Sequence, residues 1–201
     1  TIGIAMKFSK KKLEALCIGA LIHDIGKSLI PKRLMEKETQ FTESEIEILN
    51  HHPRLGYKYL SSTYNINSLS KLIVLQHHER PDGLGFPDKL TDENIIDLSK
   101  IVSIADAYDN LSTDLPGKRA MFPSDVLEYL MSNAGTMFDY NLISVFCRII
   151  IPFPKGTVVR LSTEEIARVE ETIPNFPLRP ILRIISGPRE SRIGNKISLL
   201  E

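Results

Sequence analysis

Residues 10–27 read KKKLEALCIGALIHDIGK, and this stretch decides the fold. Its apolar side chains recur at helical spacing, which predicts a helix with one buried face. The predicted face consists of Leu13, Leu16, Cys17, Ala20 and Leu21. His23 and Asp24 follow at the end of this helix, just before Gly26 ends the segment. An adjacent imidazole and carboxylate at a helix end can offer two metal ligands to one site.

Capping residues and apolar spacing predict further helices downstream of this stretch. Thr42 and Glu45 form a capping box, so a helix is expected to start just after Thr42. Pro53 marks a kink or a boundary, and Asn67 or Ser68 caps the next helix. The remaining helices are predicted over 94–112, 124–133 and 140–150. The sequence up to this point therefore indicates a mainly α fold.

The sequence changes character at Ile151-Pro152-Phe153-Pro154. Three β-type stretches follow, over 157–161, 166–170 and 180–185. We therefore predict a helical domain over 1–151 and a small β-rich extension over 152–201. Because the chain starts at Thr1, partway along a predicted helix, the helical domain is expected to be truncated at its N-terminus and to come from a longer protein.

Composition narrows the class of protein. The 201 residues carry 25 Lys and Arg against 25 Asp and Glu, so the charge gives no support to binding of a nucleic-acid polymer. The hydrophobic fraction of 42% is typical of a folded domain, and no apolar run is long enough to span a bilayer. Cys17 and Cys147 lie far apart in apolar helical patterns and are predicted to be buried free thiols. This cysteine usage favours a reducing compartment, the cytoplasm.

All five histidines lie in one region of the chain. They are His23, His51, His52, His77 and His78. A single histidine on a helix is more often a packed or surface residue than a ligand, but the clustering favours a site for divalent transition metals. Glu79, directly after the second His doublet, is a further potential ligand. We therefore expect a metal site built from several of these side chains.

A carboxylate partner is expected from the helix that contains SIADAYDNL, residues 103–111. Asp106 lies in a largely apolar stretch, and a buried carboxylate is costly unless it is paired or bound to a metal. Asp109 lies one turn further on and can share the same face. Exposure or helix capping is the alternative for either residue.

Two motifs resemble the HD phosphohydrolase superfamily. His23-Asp24-Ile25-Gly26-Lys27 resembles its signature. Residues 77–87, HHERPDGLGFP, resemble the defining motif of its HD-GYP subfamily. Gly83 and Gly85 allow this loop to fold over a ligand, and an ordinary turn is the alternative.

Two further motifs extend the resemblance. Asn50-His51-His52-Pro53 resembles the third ligand position of the family, a His before Pro. Ala105-Asp106 with Asp109 resembles its downstream Ala-Asp motif. The four motifs agree in order and spacing over about residues 16–146, so the resemblance covers most of the helical part.

The resemblance implies an HD-type helical domain, here followed by the small C-terminal β-rich subdomain. It also implies two or three divalent metal ions, with iron or manganese expected. The implied metal ligands are His23, Asp24, His52, His77, His78 and Asp106. Asp24 would bridge two ions, whereas His51 would be structural or would support a ligand. The implied catalytic residues are His23, Asp24 and Lys27, and the implied substrate contacts are Lys27, Asp82, Gly83, Gly85, Phe86 and Asp109.

The implied activity is hydrolysis of the bacterial messenger cyclic di-GMP by a metal-activated hydroxide, in the output domain of a larger signalling protein. Two adjacent cations hold the attacking and leaving oxygens of a phosphodiester, and Lys27 would neutralise a phosphate oxygen. The resemblance also allows a protein partner at Gly85-Phe86-Pro87 and a homodimer, without membrane contact by this segment. Two alternatives stay open: an inactive signalling module, and a metal phosphohydrolase acting on another nucleotide.

The sequence departs from the family pattern at two places. Phe86 stands where the family usually has Tyr, so the ring is kept and the hydroxyl is lost. This change affects partner contacts or substrate affinity more than metal binding. The family also has a ligand His on a helix before the His-Asp pair, and no His precedes His23 in this chain.

Overall fold

The structure is a computed structural model of the chain. It describes residues 1–37, 39–114, 119–173, 175–188 and 190–200. The described chain is helical up to Ile149 and forms an antiparallel sheet from Val158 onward, which confirms the predicted fold class. In these ranges no helix combines the length and the apolar character that crossing a membrane requires.

The helical part contains α1 (Ile2–Ala5), α2 (Lys10–Ile22), α3 (Lys32–Met35), α4 (Glu43–Leu49), α5 (His52–Thr63), α6 (Ser68–Gln76), α7 (Asp97–Ser112), α8 (Pro123–Ser132) and α9 (Tyr140–Ile149). Short 3₁₀ helices occupy Ile25–Leu29, Asp92–Asn94 and Glu190–Arg192. The predicted helices are confirmed with small differences at their ends. Of these, α7 begins at Asp97 rather than near residue 94, because the 3₁₀ turn and an extended Ile96 precede it.

Helix starts follow the capping residues. Thr42 and Glu45 form the predicted capping box, in which the Thr42 Oγ1 accepts from the Glu45 N–H and the Glu45 carboxylate accepts from the Thr42 N–H. Asn67 caps α6 through the N–H of Leu69 at 2.8 Å. Pro53 is the second residue of α5, so it marks a helix start and not a kink. This position suits proline because N–H groups of the first turn have no partner within the helix.

The buried face of α2 differs from the predicted one. Ala15 and Gly19 are buried, whereas Cys17 is exposed and Leu21 is 86% exposed. The backbone of Gly19 lies so close to α6 that an added Cβ would sit 2.4 Å from the Cδ1 of Ile73. Small side chains face α6 because they permit this close approach. The predicted face is confirmed at Leu16, which packs against the buried core, and is wrong at Cys17, Ala20 and Leu21, because it weighed only hydrophobic spacing.

The prediction that both cysteines are buried is therefore wrong for one of them. Cys147 on α9 is buried, and burial raises the pKa of its thiol. Cys17 is exposed because it lies on the side of α2 that faces away from α6. There it lines an open groove of about 500 Å³ between α2, α7 and α9.

The helical core brings the ends of α2 and α6 together. Its fully buried side chains include Ile73, Ile104, Leu127 and Leu130. A buried hydrogen bond of 2.9 Å from the Ser70 Oγ to the carbonyl oxygen of Ala15 adds a polar contact between α6 and α2. His23 and His77, which directly follow these two helices, are thereby held side by side.

The C-terminal sheet has the strand order β1 (Val158–Arg160), β2 (Ile166–Ile173), β3 (Phe176–Ser186) and β4 (Lys196–Ser198), and each strand is antiparallel to the next. The sequence predicts three of these strands. It misses β4, whose three residues are too short to show an alternating pattern. Leu178 on β3 packs against the helical core. The sheet thus contacts the helices, and the division into domains at residue 151 stays a prediction.

Candidate metal centre

Three histidines are held in the same way at helix ends. His23 follows α2, His52 is the first residue of α5, and His77 follows α6. Their Nδ1 atoms contact the carbonyl oxygens of Ala20 at 2.8 Å, Leu49 at 2.8 Å and Val74 at 2.9 Å, respectively. A proton on each Nδ1 donates this hydrogen bond, so Nε2 is the ring atom that is placed to bind a metal.

The carboxylate of Asp24 lies at the centre of the cluster. Its Oδ1 is 3.2 Å from the Nε2 of His52 and 3.6 Å from the Nε2 of His77. Its Oδ2 is 3.4 Å from the Nε2 of His23. The Nζ of Lys27 donates a hydrogen bond of 2.5 Å to the same oxygen. One carboxylate therefore faces three imidazole nitrogens and an ammonium group.

His78 completes a compact set of donors. With Asp24, His52 and His77 it offers four ligand atoms that lie within 4.8 Å of one another. His52 and His77 are buried, and the other two are half-buried. A set of this size can hold one metal ion, since imidazole nitrogens and a carboxylate oxygen are donors that transition metals accept.

Asp106 extends the cluster on the side of α7. Its Oδ1 lies 3.6 Å from the Nε2 of His23 and accepts a hydrogen bond of 2.8 Å from the Nδ2 of Asn110. His23 therefore lies between the carboxylates of Asp24 and Asp106. Asp109, one turn further along, is exposed and lines the groove beside the cluster.

The surroundings of the two carboxylates keep them ionised. Burial alone would raise the pKa of Asp24, but His23, His52, His77 and Lys27 hold it well below its usual range. Burial likewise opposes ionisation of Asp106, and the neighbouring histidines lower the pKa of this carboxyl overall. Charged carboxylates are the form that binds cations.

The imidazoles of the cluster fall into two groups. Burial lowers the pKa of His77, and it lowers the pKa of His78 to about 3 together with the neighbouring imidazoles. Both are thus in the neutral form that ligates metals. The flanking carboxylates of Asp106 and Asp24 raise the pKa of His23 to about 10, which reflects the negative charge collected at this point.

Two buried atoms at the centre of the cluster, His23 Nε2 and Asp24 Oδ1, have no hydrogen-bond partner within the described part of the chain. A buried polar atom without a partner costs about 1–3 kcal/mol, so two of them in one place point to a binding site. Imidazole nitrogen and carboxylate oxygen are both good donors to iron or manganese. The residues present therefore fit a divalent metal ion.

The loop after His78 places one of its predicted residues at the cluster. The Phe86 ring stacks on the His78 imidazole with centroids 4.6 Å apart and an angle of 29° between the planes. Asp82 instead forms an ion pair with Arg80. Gly83 has a φ of +73°, so this position is a turn that favours glycine. Asp82 and Gly83 therefore shape the loop.

Sequence reasoning missed Asn110 and misjudged Glu79. The Asn110 amide holds Asp106, and the i, i+4 spacing of the two residues on a helix is the signal that could have found it. Glu79 is a potential ligand by its position in the sequence. In the structure its carboxylate oxygens accept the backbone N–H groups of Asp88 and Leu90, at 2.6 and 2.9 Å. It therefore lies outside the cluster.

Gly26 allows two ligand-bearing elements to meet. A Cβ added to it would lie 1.9 Å from the carbonyl oxygen of His52 and 2.8 Å from the nitrogen of Gly56. We expect Gly26→Ala to push Asp24 away from His52, because backbone atoms cannot yield as side-chain ends do. The free energy of unfolding should fall by about 1–3 kcal/mol, and manganese affinity should fall with it. Urea unfolding and a manganese titration measure the two effects.

Gly3→Ala is the matched control for this substitution. Its added Cβ would lie 2.9 Å from the Cδ2 atoms of Leu13 and Leu16, which are flexible side-chain ends. We expect the free energy of unfolding and the manganese affinity of this variant to be close to those of the wild type. Wild-type behaviour of Gly26→Ala in both measurements would show that the close contact is not needed.

A family model described as "HD domain" matches residues 1–142. The chain is 36% identical over 141 residues to the "Cyclic di-GMP phosphodiesterase response regulator RpfG" of Xanthomonas campestris pv. campestris (strain 8004), a match that covers 70% of this chain and 37% of that protein. It is 33% identical over 179 residues to the "Cyclic di-GMP phosphodiesterase PdeB" of Borreliella burgdorferi, covering 88% of this chain and 47% of that protein. The chain thus spans less than half the length of these relatives.

A solved structure has a similar fold. It is "Bd1817, a HDG"Y"P protein from Bdellovibrio bacteriovorus", with a TM-score of 0.59 and 23% identity. The similarity covers 72% of this chain and 46% of that one. The family match over the helical part confirms the resemblance to the HD superfamily that the motifs predict, and the solved structure shows a similar fold: the chain belongs to the HD domain family.

Proposed function

We propose that this chain is a metal-dependent phosphodiesterase that hydrolyses cyclic di-GMP, and that it is the output domain of a larger signalling protein. The arrangement around Asp24 carries the proposal, since one carboxylate faces three imidazole nitrogens and the Lys27 ammonium. The names of the two relatives support cyclic di-GMP as the substrate.

Two or three divalent ions, iron or manganese, belong to the proposed site. One ligand set is Asp24, His52, His77 and His78. A second set is His23 with Asp106, and Asp24 lies between the two sets, where its carboxylate is placed to bridge. When bound, such ions lower the pKa of water and stabilise charge on the attacking and leaving oxygens of a phosphodiester.

Lys27 is the proposed phosphate-binding residue. Its Nζ lies 2.5 Å from Asp24, while the side chain is 40% exposed, so the ammonium group is at the cluster and still meets solvent. A phosphate bound against the cluster brings a non-bridging oxygen beside this group. The positive charge then stabilises the negative charge that grows on the phosphoryl oxygens in the transition state.

The other proposed substrate contacts lie on two sides of the cluster. Phe86 offers an aromatic ring beside His78, on which a nucleobase can stack. Asp109 lines the groove next to His23, whose volume of about 500 Å³ is in the range of small-ligand sites. Asp82, Gly83 and Gly85 give the loop its shape. The segment Gly85-Phe86-Pro87 is also the proposed contact for a protein partner.

We also propose a cytoplasmic location, a homodimer, and a division of the chain into parts 1–151 and 152–201. The proposed reaction requires only the residues of the cluster and of the loop beside it.

Turnover of cyclic di-GMP tests the proposed function. The chain is assayed without oxygen in the presence of ferrous iron or manganese, next to 3′3′-cyclic GMP-AMP and a linear dinucleotide, with products separated by chromatography. We expect cyclic di-GMP to be consumed fastest, and we expect a variant with both His23→Ala and Asp24→Ala to be inactive. If the chain binds metal but hydrolyses only another nucleotide, that nucleotide and not cyclic di-GMP is the substrate. Bound metal with no turnover of any nucleotide would favour a binding module.

A further inference from the structure

His78 differs from the other histidines of the cluster in what holds its ring. His23, His52 and His77 each contact a backbone carbonyl oxygen through Nδ1. Within the described residues, no hydrogen bond of this kind fixes His78. Torsion about the Cβ–Cγ bond of histidine has only a broad intrinsic preference. The ring contacts around His78 must therefore decide which nitrogen faces Asp24.

Three rings surround the His78 imidazole. Those of His77, Phe86 and His52 have centroids 4.1, 4.6 and 5.0 Å away. Two of these neighbours are themselves cluster residues that face Asp24. Phe86 is the one that lies nearly parallel to His78, at 29°, and its contact limits rotation of the imidazole plane. The orientation of His78 thus depends on where loop 80–90 places Phe86.

Glu79 determines where that loop lies. Its side chain is only 2% exposed, and its own N–H donates to the carbonyl oxygen of Gln76 at the end of α6. Oε1 accepts from the N–H of Asp88 at 2.6 Å, and Oε2 accepts from the N–H of Leu90 at 2.9 Å. Both carboxylate oxygens are used, so one buried side chain joins the two ends of the loop. Hydrogen bonds to a charged acceptor are stronger than those between neutral groups.

The loop has little freedom between these two ends. The N–H of Phe86 donates to the carbonyl oxygen of His78 at 3.2 Å. A Cβ added to Gly85 would lie 2.5 Å from the nitrogen of Arg80 and 2.6 Å from the Cα of Glu79. The backbone before Phe86 therefore lies directly on the backbone that carries the ligand. Phe86 lies two residues before Asp88, whose N–H Glu79 binds, so this short and closely packed backbone connects the Glu79 carboxylate to the Phe86 ring.

We propose that Glu79 is a positioning residue of the metal centre: its buried carboxylate fixes loop 80–90 so that the Phe86 ring orients the His78 imidazole toward Asp24. This inference rests on the proposed function for its meaning in catalysis. The geometric part concerns only residues of this chain and can be measured without substrate.

A double-mutant cycle with Glu79→Gln and Phe86→Leu tests the proposal. The glutamine keeps one acceptor oxygen but turns an NH₂ group toward a backbone N–H, and the leucine keeps apolar bulk without the flat ring. Histidine ring resonances are recorded by NMR on the metal-free protein, followed by a titration with manganese and by kcat and KM for cyclic di-GMP. Glu165→Gln, a carboxylate 1% exposed in the β-rich part, is the control for loss of a buried charge.

We expect Glu79→Gln to shift the resonances of His78 more than those of His23, His52 and His77. Phe86→Leu is judged by its manganese affinity, because loss of the ring current moves the His78 resonances in any case. Manganese affinity and kcat should fall by about 10- to 100-fold, as is typical when the support of a metal ligand is removed, while KM changes little. Because Glu79 acts through Phe86, manganese affinity and kcat of the double variant should be no lower than those of the more impaired single variant. Glu165→Gln should leave all these quantities as in the wild type.

Three results would overturn the proposal: unchanged His78 resonances with wild-type manganese affinity in Glu79→Gln, effects of the two substitutions that simply add, or an equal loss in Glu165→Gln. If Glu79→Gln does not fold, the manganese affinity of Phe86→Leu decides, since an unchanged value there removes the proposed route. A wild type that binds manganese and leaves cyclic di-GMP intact would contradict the proposed substrate. The resonance shifts would then still support the positioning role.

Discussion

Asp24→Asn is expected to remove metal binding and turnover while leaving the chain folded. The carboxylate faces His23, His52 and His77 and carries the negative charge that a cation needs. An amide of the same size loses this charge and turns N–H donors toward nitrogens that should be free. Loss of even a supporting group costs about 10- to 100-fold, so we expect a fall in manganese affinity and turnover of about 100-fold or more.

Metal content after loading, a manganese titration and the cyclic di-GMP assay measure this effect. Asp125→Asn, in the exposed first turn of α8, removes one charge at a distance from the cluster and is the matched control. Circular dichroism establishes that both variants fold. Retention of manganese binding by Asp24→Asn would contradict the central position that we assign to this carboxylate.

Substitution of two adjacent histidines is expected to have very different effects on metal binding. His52 is buried with its Nε2 3.2 Å from Asp24, whereas His51 is exposed and its Nδ1 contacts the carbonyl oxygen of Glu47 at 2.7 Å. We expect His52→Ala to lower manganese affinity and turnover by about 100-fold or more, by the same comparison with supporting groups. His51→Ala should change neither.

The two variants are well matched because each replaces a histidine by alanine at the start of the same helix. Thermal unfolding of both variants separates loss of the fold from loss of the ligand, since His52 is also a packed residue. Equal losses in the two variants at equal stability would mean that this helix end, and not the His52 imidazole, is what the site requires. Loss in His51→Ala alone would reverse the assignment of the doublet.

The sequence was a good guide wherever a feature is local. The capping residues Thr42 and Asn67 mark helix starts correctly, since a cap and the N–H it accepts lie within a few residues. The six implied ligands are neighbours in the structure because five of them lie at the ends of α2, α5 and α6, which pack together, and Asp106 comes from the middle of α7 beside them. Their roles as ligands are proposals that the metal measurements decide.

The sequence failed where the outcome depends on distant packing. The buried side of α2 is set by Gly19 against Ile73, and no pattern within α2 reveals that a small residue is needed there. Cys17 is exposed for the same reason. The role of Glu79 depends on backbone N–H groups about ten residues away in an irregular loop, which hydrophobic periodicity does not describe.

The most direct test of the metal centre is anomalous diffraction at the manganese absorption edge, from crystals of the chain grown with manganese. The account predicts anomalous density next to the Asp24 carboxylate, within bonding distance of the Nε2 atoms of His52 and His77. A second maximum is expected between His23 and Asp106. Well-ordered side chains at these positions with no anomalous density among them would contradict the claim that the cluster is a metal centre.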